Sequence, residues 1–232
     1  MPATLIKFLA MNIIPLAHSL LSIKKRHLLA VFSAACILAL PITLKAENLK
    51  PFNTWQEKSF VGNNILSFSS ENQISTVKIQ SQNTSSALFL KQQINLNKTP
   101  FLNWHWKVSQ ALKPANEKEK KGDDFAARVY VIASTGPFIW QTKTLSYVWS
   151  SGQKIGDTWP SPYSEKVVML ALNNGSDLAG NWQAHRRNIQ IDLKNAFAKT
   201  FDTIDVIAIM TDTDNTGQKT TGWYKNFYFS EA

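Results

Sequence analysis

An apolar run that ends in carboxylate and amide side chains is the part of this sequence best suited to chemistry. Residues 203–210 are mainly apolar, and Asp212-Thr213-Asp214-Asn215-Thr216-Gly217 follows them. Oxygen-bearing side chains gathered at a turn can hold a cation or the hydroxyl groups of a sugar. The same residue types also form turns that satisfy their own backbone amides. The pattern predicts a candidate site at Asp212, Asp214 and Asn215, and it leaves a purely structural turn open.

The spacing in this run excludes a calcium loop of the EF-hand type. Thr216 would be a weak third ligand, and Trp223 stands at the twelfth position, where a bidentate Glu is required. A looser oxygen cage around Asp212 and Asp214, completed by backbone carbonyls, is compatible with the sequence. Calcium at Asp212 and Asp214 is therefore the one metal site that we predict, and no other cofactor is indicated.

A second pair of carboxylates, Asp123 and Asp124, precedes Arg128 in a predicted strand. Asp124 and Arg128 share one face of that strand but lie about 13 Å apart along it, too far for a direct ion pair. Because charges are rarely buried without a partner, Arg128 needs a carboxylate from a neighbouring strand or from a ligand. It is therefore either a structural arginine linked across the sheet or an arginine that lines a cleft for an acidic or hydroxylated ligand.

All eight tryptophans follow residue 47. Indole rings bury large areas in protein cores, and they also stack on the flat faces of sugars. We expect most of the eight in the core, and an exposed platform formed by two or three of them is the alternative. The candidates, all near predicted loops, are Trp140, Trp149, Trp159, Tyr163 and Trp182. The segment 149–163 is rich in Gly, Pro and Ser, which predicts a loop at the rim of the domain.

Motifs of common enzyme classes are absent from the sequence. It contains no G-x-S-x-G, no phosphate-binding glycine loop and no H-E-x-x-H. Cys36 is the only cysteine, and His105 and His185 are the only histidines after residue 46, so a zinc or thiol site is not indicated. Glycoside hydrolysis needs only two suitably spaced carboxylates. An enzyme that uses one Asp from each acidic cluster therefore remains an alternative.

The amino-terminal segment resembles an export signal. Lys24, Lys25 and Arg26 precede an uncharged run of 13 residues, Leu28–Leu40, and a small residue, Ala46, ends the segment. A membrane-spanning helix needs about 20 apolar residues. We predict a signal peptide or leader at residues 1–46 and one mature domain at 47–232, without a membrane span and located in the periplasm or secreted. An uncleaved anchor is the alternative.

Removal of the leader would also change the charge balance. Twenty of the 25 basic residues and all 16 acidic residues follow Ala46, so the net charge falls from +9 to +4. The high whole-chain isoelectric point is thus mainly a property of the leader, and nucleic acid is not a predicted partner.

The mature segment has the pattern of one all-β domain. Its 186 residues are enough for a single core, and short β-branched and aromatic runs alternate with clusters of Gly, Asn, Ser and Asp. The predicted strands are 65–69, 74–80, 87–95, 101–109, 124–134, 142–150, 166–172, 183–192, 203–211 and 222–229. One helix is predicted at 193–200, capped by Asp192. We predict an antiparallel, jelly-roll-like β-sandwich with one short helix; a partly closed barrel is the alternative.

Several motifs occur together in one order: LNWHWK at 102–107, GDDFAARVYV at 122–131, SYVWS at 146–150, and AIMTDTDNTG at 208–217 followed by Trp223 and Tyr224. This set resembles the exported bacterial proteins of the family named domain of unknown function 3047, over about residues 55–229. The resemblance implies a bacterial origin and export, and it implies no known activity. The residues that match the family pattern are Asp123, Asp124, Arg128, Tyr147, Trp149, Asp212, Asp214 and Asn215.

These observations predict an exported periplasmic β-sandwich that binds a glycan or another cell-envelope component without catalysis. The predicted binding residues are those of the family pattern together with Trp159. An enzyme acting on envelope polysaccharide through an Asp pair, and a module that binds another envelope protein, are the alternatives.

Overall fold

The computed structural model describes residues 46–134, 136 and 141–231. The predicted signal peptide, except for Ala46, and the platform candidate Trp140 lie outside the described residues. Among the described residues, no helix has the length and apolar character needed to span a membrane.

The described residues form thirteen strands and one α-helix. In chain order the strands are β1 Ala46–Asn48, β2 Gln56–Val61, β3 Ile65–Glu71, β4 Ile74–Gln82, β5 Ser85–Asn95, β6 Phe101–Val108, β7 Arg128–Ser134, β8 Thr142–Ser150, β9 Thr158–Ser161, β10 Ser164–Asn174, β11 Gln183–Asn188, β12 Thr203–Asp212 and β13 Lys219–Ser230. The helix α1, Ile189–Phe197, lies between β11 and β12.

Two sheets pack face to face. The first has the order β11-β6-β13-β4-β3, with β1 paired to β13, and the second has the order β2-β5-β12-β7-β8-β10-β9. The predicted jelly-roll-like sandwich with one short helix is confirmed, with one difference in strand direction. β8 and β10 run parallel, while the other pairs are antiparallel. Parallel neighbours cannot be joined by a tight turn, so residues 151–163 carry the chain back and form β9 on the way.

All ten predicted strands are present, and β1, β2 and β9 were missed. β9 lies inside the segment predicted as a rim loop, so that prediction is wrong over 158–161. Pro160 gives this segment the appearance of a loop, because proline cannot donate to a sheet ladder. It is tolerated here because β9 is the edge strand of the second sheet.

The helix begins four residues earlier than predicted. Asn188, rather than Asp192, is the capping residue, and its side chain accepts a hydrogen bond from the Ile191 amide at 3.0 Å. Asp192 lies in the first turn and accepts hydrogen bonds from Tyr147 and Arg187 instead. The predicted strand 183–192 accordingly ends at Asn188.

The core lies between the sheets and is built from alternate residues of each strand. In β6, Trp104, Trp106 and Val108 are fully buried, while His105 and Lys107 face outward. The second sheet buries apolar side chains on its outer face as well, in a cluster of Ala87, Phe89, Tyr130, Ile132, Val206, Ala208 and Met210.

Candidate functional site

Arg128, the first residue of β7, is the centre of a buried polar network. Its guanidinium donates to both carboxylate oxygens of Asp212, from Nε at 2.9 Å and from Nη2 at 2.6 Å. It also donates to the Tyr130 hydroxyl at 3.1 Å and to the backbone carbonyl of Asp123. β7 pairs with β12 so that Arg128 lies opposite Met210, two residues before Asp212. The carboxylate partner of Arg128 therefore comes from the neighbouring strand.

The second acidic pair connects the segment before β7 to the turn after β12. Asp124 accepts four hydrogen bonds from this turn: from the amide and side-chain nitrogens of Asn215 at 3.2 and 3.0 Å, and from the amide and hydroxyl of Thr216 at 2.6 and 2.7 Å. The Tyr163 hydroxyl donates to the Asn215 side-chain oxygen at 3.0 Å. The acidic clusters at 123–124 and 212–214, about 90 residues apart in the chain, thus form one structural unit. Asp124 stabilises the turn at 213–217 in addition to the side chains of the turn itself.

Carboxylate oxygens of Asp124, Asp212 and Asp214 lie within 4.8 Å of one another. Oxygen ligands at such spacing suit calcium. Both oxygens of Asp212 are already bound by Arg128, however, and both oxygens of Asp124 accept hydrogen bonds from the turn. A cation would have to compete with these donors for two of its three carboxylates. Calcium at Asp212 and Asp214 therefore stays a prediction.

Burial and neighbouring charges shift the pKa values of the ionisable groups in this network. It raises the pKa of Asp123 to about 6; attraction to Arg128 opposes the rise and repulsion from Asp124 adds to it. Neither carboxylate oxygen of Asp123 has a hydrogen-bond partner among the described residues. Burial alone would lower the pKa of Arg128, but its attraction to Asp123 and Asp212 raises that pKa well above the ordinary value. Arg128 therefore stays charged, and two short bonds to Asp212 are the geometry of an ionised pair.

Three other predicted binding residues, Tyr147, Trp149 and Trp159, are buried as well. The Tyr147 hydroxyl donates to Asp192 at 2.7 Å, and the Trp149 ring nitrogen donates to the Gly175 carbonyl at 2.9 Å. Trp159 is 4% exposed and packs against Phe125. The prediction that Trp149 and Trp159 form an exposed platform is therefore wrong. Trp149 lies in the main core, and Trp159 lies in a separate apolar cluster with Phe125, Val148 and Met169.

The exposed aromatic surface lies on the outer face of the first sheet. Trp182 and Trp223 are each half-buried there. The Lys107 ammonium stands 5.1 Å from the centre of the Trp182 ring and 4.6 Å from that of Trp223. Lys225 lies 4.2 Å from Trp182, and Lys78 lies 5.9 Å from Trp223. We refer to these five residues, Lys78, Lys107, Trp182, Trp223 and Lys225, as the Trp–Lys face.

Strand register explains this arrangement. Trp223 in β13 lies directly opposite Lys107 in β6 and Lys78 in β4. Trp182 precedes β11, the strand that pairs with the other edge of β6. Of this face, only Trp182 was a platform candidate in the sequence. The alternation of β6, which puts Lys107 opposite to the buried tryptophans, was the signal that could have located the rest.

An open groove adjoins the Trp–Lys face. It has a volume of about 710 Å³ and is lined mainly by amide and hydroxyl side chains. Its walls include Asn63, Gln80, Gln82, Asn83, Thr84, Ser109, Gln110 and Thr221. Gln80, two residues after Lys78, and Thr221, two residues before Trp223, pair with each other and lie on the same outward side of the sheet. Trp223 and the polar groove are thus about 7 Å apart along the strand.

Comparison with known proteins gives distant structural likenesses. A meso-active, thermostable cellulase derived from that of Rhodothermus marinus shares 9% identity and a TM-score of 0.43, over 76% of this chain and 96% of the other. The xyloglucanase domain of NopAA from Sinorhizobium fredii shares 10% identity and a TM-score of 0.42, over 76% and 93%. A mutant of a carbohydrate-binding module of family 29 shares 9% identity and a TM-score of 0.36, over 81% and 92%.

No curated protein matches the chain. The sequence profile of the family described as protein of unknown function (DUF3047) matches residues 53–228, which is most of the described domain. The chain therefore belongs to the DUF3047 family.

Proposed function

We propose that this protein is an exported, non-catalytic protein that binds a polysaccharide of the cell envelope on the Trp–Lys face and in the adjoining groove. The observation that carries the proposal is the placement of two half-buried indoles, Trp182 and Trp223, beside a groove lined by amides and hydroxyls. Indole faces provide apolar area for sugar rings, and amides and hydroxyls exchange hydrogen bonds with sugar hydroxyls.

The shape of this surface suits an extended chain. The strands β4, β13 and β6 present the row of Lys78, Trp223 and Lys107, and the groove forms the neighbouring row on the side of the loops at 63 and 83. An extended polymer can contact the indoles and the groove together, so that each weak contact adds to the others.

The environment of Asp124 and Asp212 does not favour glycoside hydrolysis by these two residues, which leaves the Trp–Lys face as the candidate glycan-binding surface. Asp124 and Asp212 approach within 4.8 Å, near the roughly 5 Å separation of retaining glycosidases. Both are 2% exposed, and Asp212 is held on both oxygens by Arg128. A nucleophile or acid needs a free oxygen that faces substrate, and these residues instead join β7, β12 and the turn at 213–217.

The test is binding of the purified protein to a panel of neutral and acidic polysaccharides, measured by affinity electrophoresis and calorimetry. Trp182→Ala and Trp223→Ala should each weaken binding about tenfold, because each removes a stacking surface at the centre of the site. Phe68→Ala is the matched control, since Phe68 is an exposed ring on the other side of the first sheet.

Two results would contradict the proposal. One is retention that neither tryptophan variant reduces, and the other is the absence of retention on every polysaccharide. The export part of the proposal is tested separately by fractionating cells that express the full chain: recovery of the protein only from the cytoplasm would refute it.

A further inference from the structure

We propose that the polysaccharide is acidic, with carboxylates on its sugar rings, as in a uronic acid polymer. This inference rests on the proposed function, because it names the class of ligand for the same surface. It follows from the three lysines that stand among the indoles: Lys78, Lys107 and Lys225.

The three ammonium groups have no carboxylate partner within the part of the chain that the structure describes. Asp123, Asp192 and Asp212, which do form ion pairs there, pair with Arg128 and Arg187 and not with these lysines. The lysines instead lie over the ring faces of Trp182 and Trp223, at distances of 4.2 to 5.9 Å from the ring centres. Three like charges therefore lie together around two aromatic rings, and an added anion would compensate them.

Strand geometry gives this positive charge a regular spacing. Lys78 and Lys107 lie on the two strands that flank β13, both opposite Trp223, so their backbones are about 10 Å apart. Lys225 lies two residues after Trp223 and opposite His105. Burial lowers the pKa of His105, and repulsion from Lys225 lowers it further, which is consistent with an uncompensated positive field on this face.

The position of Lys107 distinguishes a charged sugar from a neutral one. Its ammonium stands over both indoles, so a neutral ring that stacks on Trp182 or Trp223 has to displace a favourable cation–π contact. A uronate ring can stack while the carboxylate at its edge pairs with the displaced ammonium. The contact that a neutral sugar loses is then replaced by an ion pair.

The experiment compares polygalacturonate with its fully methyl-esterified form, which has the same rings and linkages without the charge. We expect the purified protein to prefer polygalacturonate, and the preference to decrease with salt. Lys78→Gln, Lys107→Gln and Lys225→Gln should each weaken polygalacturonate binding about two- to fivefold. Lys199→Gln, at an exposed site beyond α1, should leave binding unchanged.

The outcomes separate this inference from the proposed function. Equal binding of both polymers, reduced by Trp182→Ala but not by Lys107→Gln, would overturn the inference and support a neutral glycan. No binding of either polymer would also overturn it, while the tryptophan variants on the wider panel still decide the proposed function. Binding of polyglutamate as tight as that of polygalacturonate, unaffected by Trp182→Ala, would overturn both.

Discussion

Replacing Asp123 by Asn is expected to stabilise the protein at neutral pH, because it removes a buried charge that is poorly compensated. The side chain is 0% exposed, and its oxygens have no hydrogen-bond partner among the described residues. Its one ion-pair contact is Arg128 Nη1, 3.6 Å from Oδ1. In the variant, Arg128 keeps both bonds to Asp212 and the bond to the backbone carbonyl of residue 123.

The size of the effect follows from the pKa of Asp123. Burial raises this pKa from 3.8 to about 6, although Arg128 opposes the rise. Ionising the carboxyl in the folded state therefore destabilises the protein by about 3 kcal/mol at most. Because the folded pKa is the higher one, this penalty is absent below about pH 4, grows up to about pH 6 and is constant above it.

The measurement is urea unfolding and thermal melting of the wild type and Asp123→Asn at pH 4, 6 and 8. At pH 8 the variant should melt about 6–12 °C higher, and the difference should vanish near pH 4. Asp177→Asn, at an exposed carboxylate, is the control and should shift neither curve. A variant that is less stable than wild type at pH 8, or a stability difference that is the same at every pH, would refute the reasoning.

Two further predictions concern the same network. Arg128→Met should destabilise the protein by about 3–5 kcal/mol in urea unfolding, because it leaves buried carboxylates without their cation, and adding Asp212→Leu should restore part of the loss; an Arg128→Met protein as stable as wild type would contradict this. If Asp212 and Asp214 hold calcium, calcium at about 100 times its dissociation constant should raise the free energy of unfolding by about 2.7 kcal/mol and the melting temperature by several degrees. Asp214→Asn should abolish this increase, and magnesium should not reproduce it. No increase with calcium would identify the turn at 213–217 as structural only.

Local patterns in the sequence were sufficient for most of the fold. Short β-branched and aromatic runs, bounded by clusters of Gly, Asn, Ser and Asp, identified ten strands, because these residue preferences act locally, whatever each strand pairs with. The start of the helix was not predicted correctly. Asn188 and Asp192 are equally suitable capping residues, and Asp192 is engaged by Tyr147 and Arg187, which come from other strands.

The candidate site, too, could be predicted from local sequence patterns only in part. Asp123, Asp124, Arg128, Asp212 and Asn215 stood out in the sequence as two separate groups, and the antiparallel pairing of β7 with β12 joined them into one network. No local sequence pattern specifies the pairing of these two strands. The sequence also does not predict that Arg128 binds Asp212 while Asp124 binds the turn at 213–217.

The tryptophans give the clearest division between what the sequence determined and what the tertiary structure decided. The sequence determined how many indoles the domain has to place, and that most of them would be buried. It could not determine that Trp149 and Trp159 are buried while Trp182 and Trp223 are half-exposed among lysines. Exposure depends on which strands are neighbours and which face of a sheet is covered. Those relations are set by contacts between residues far apart in the chain, which local periodicity does not contain.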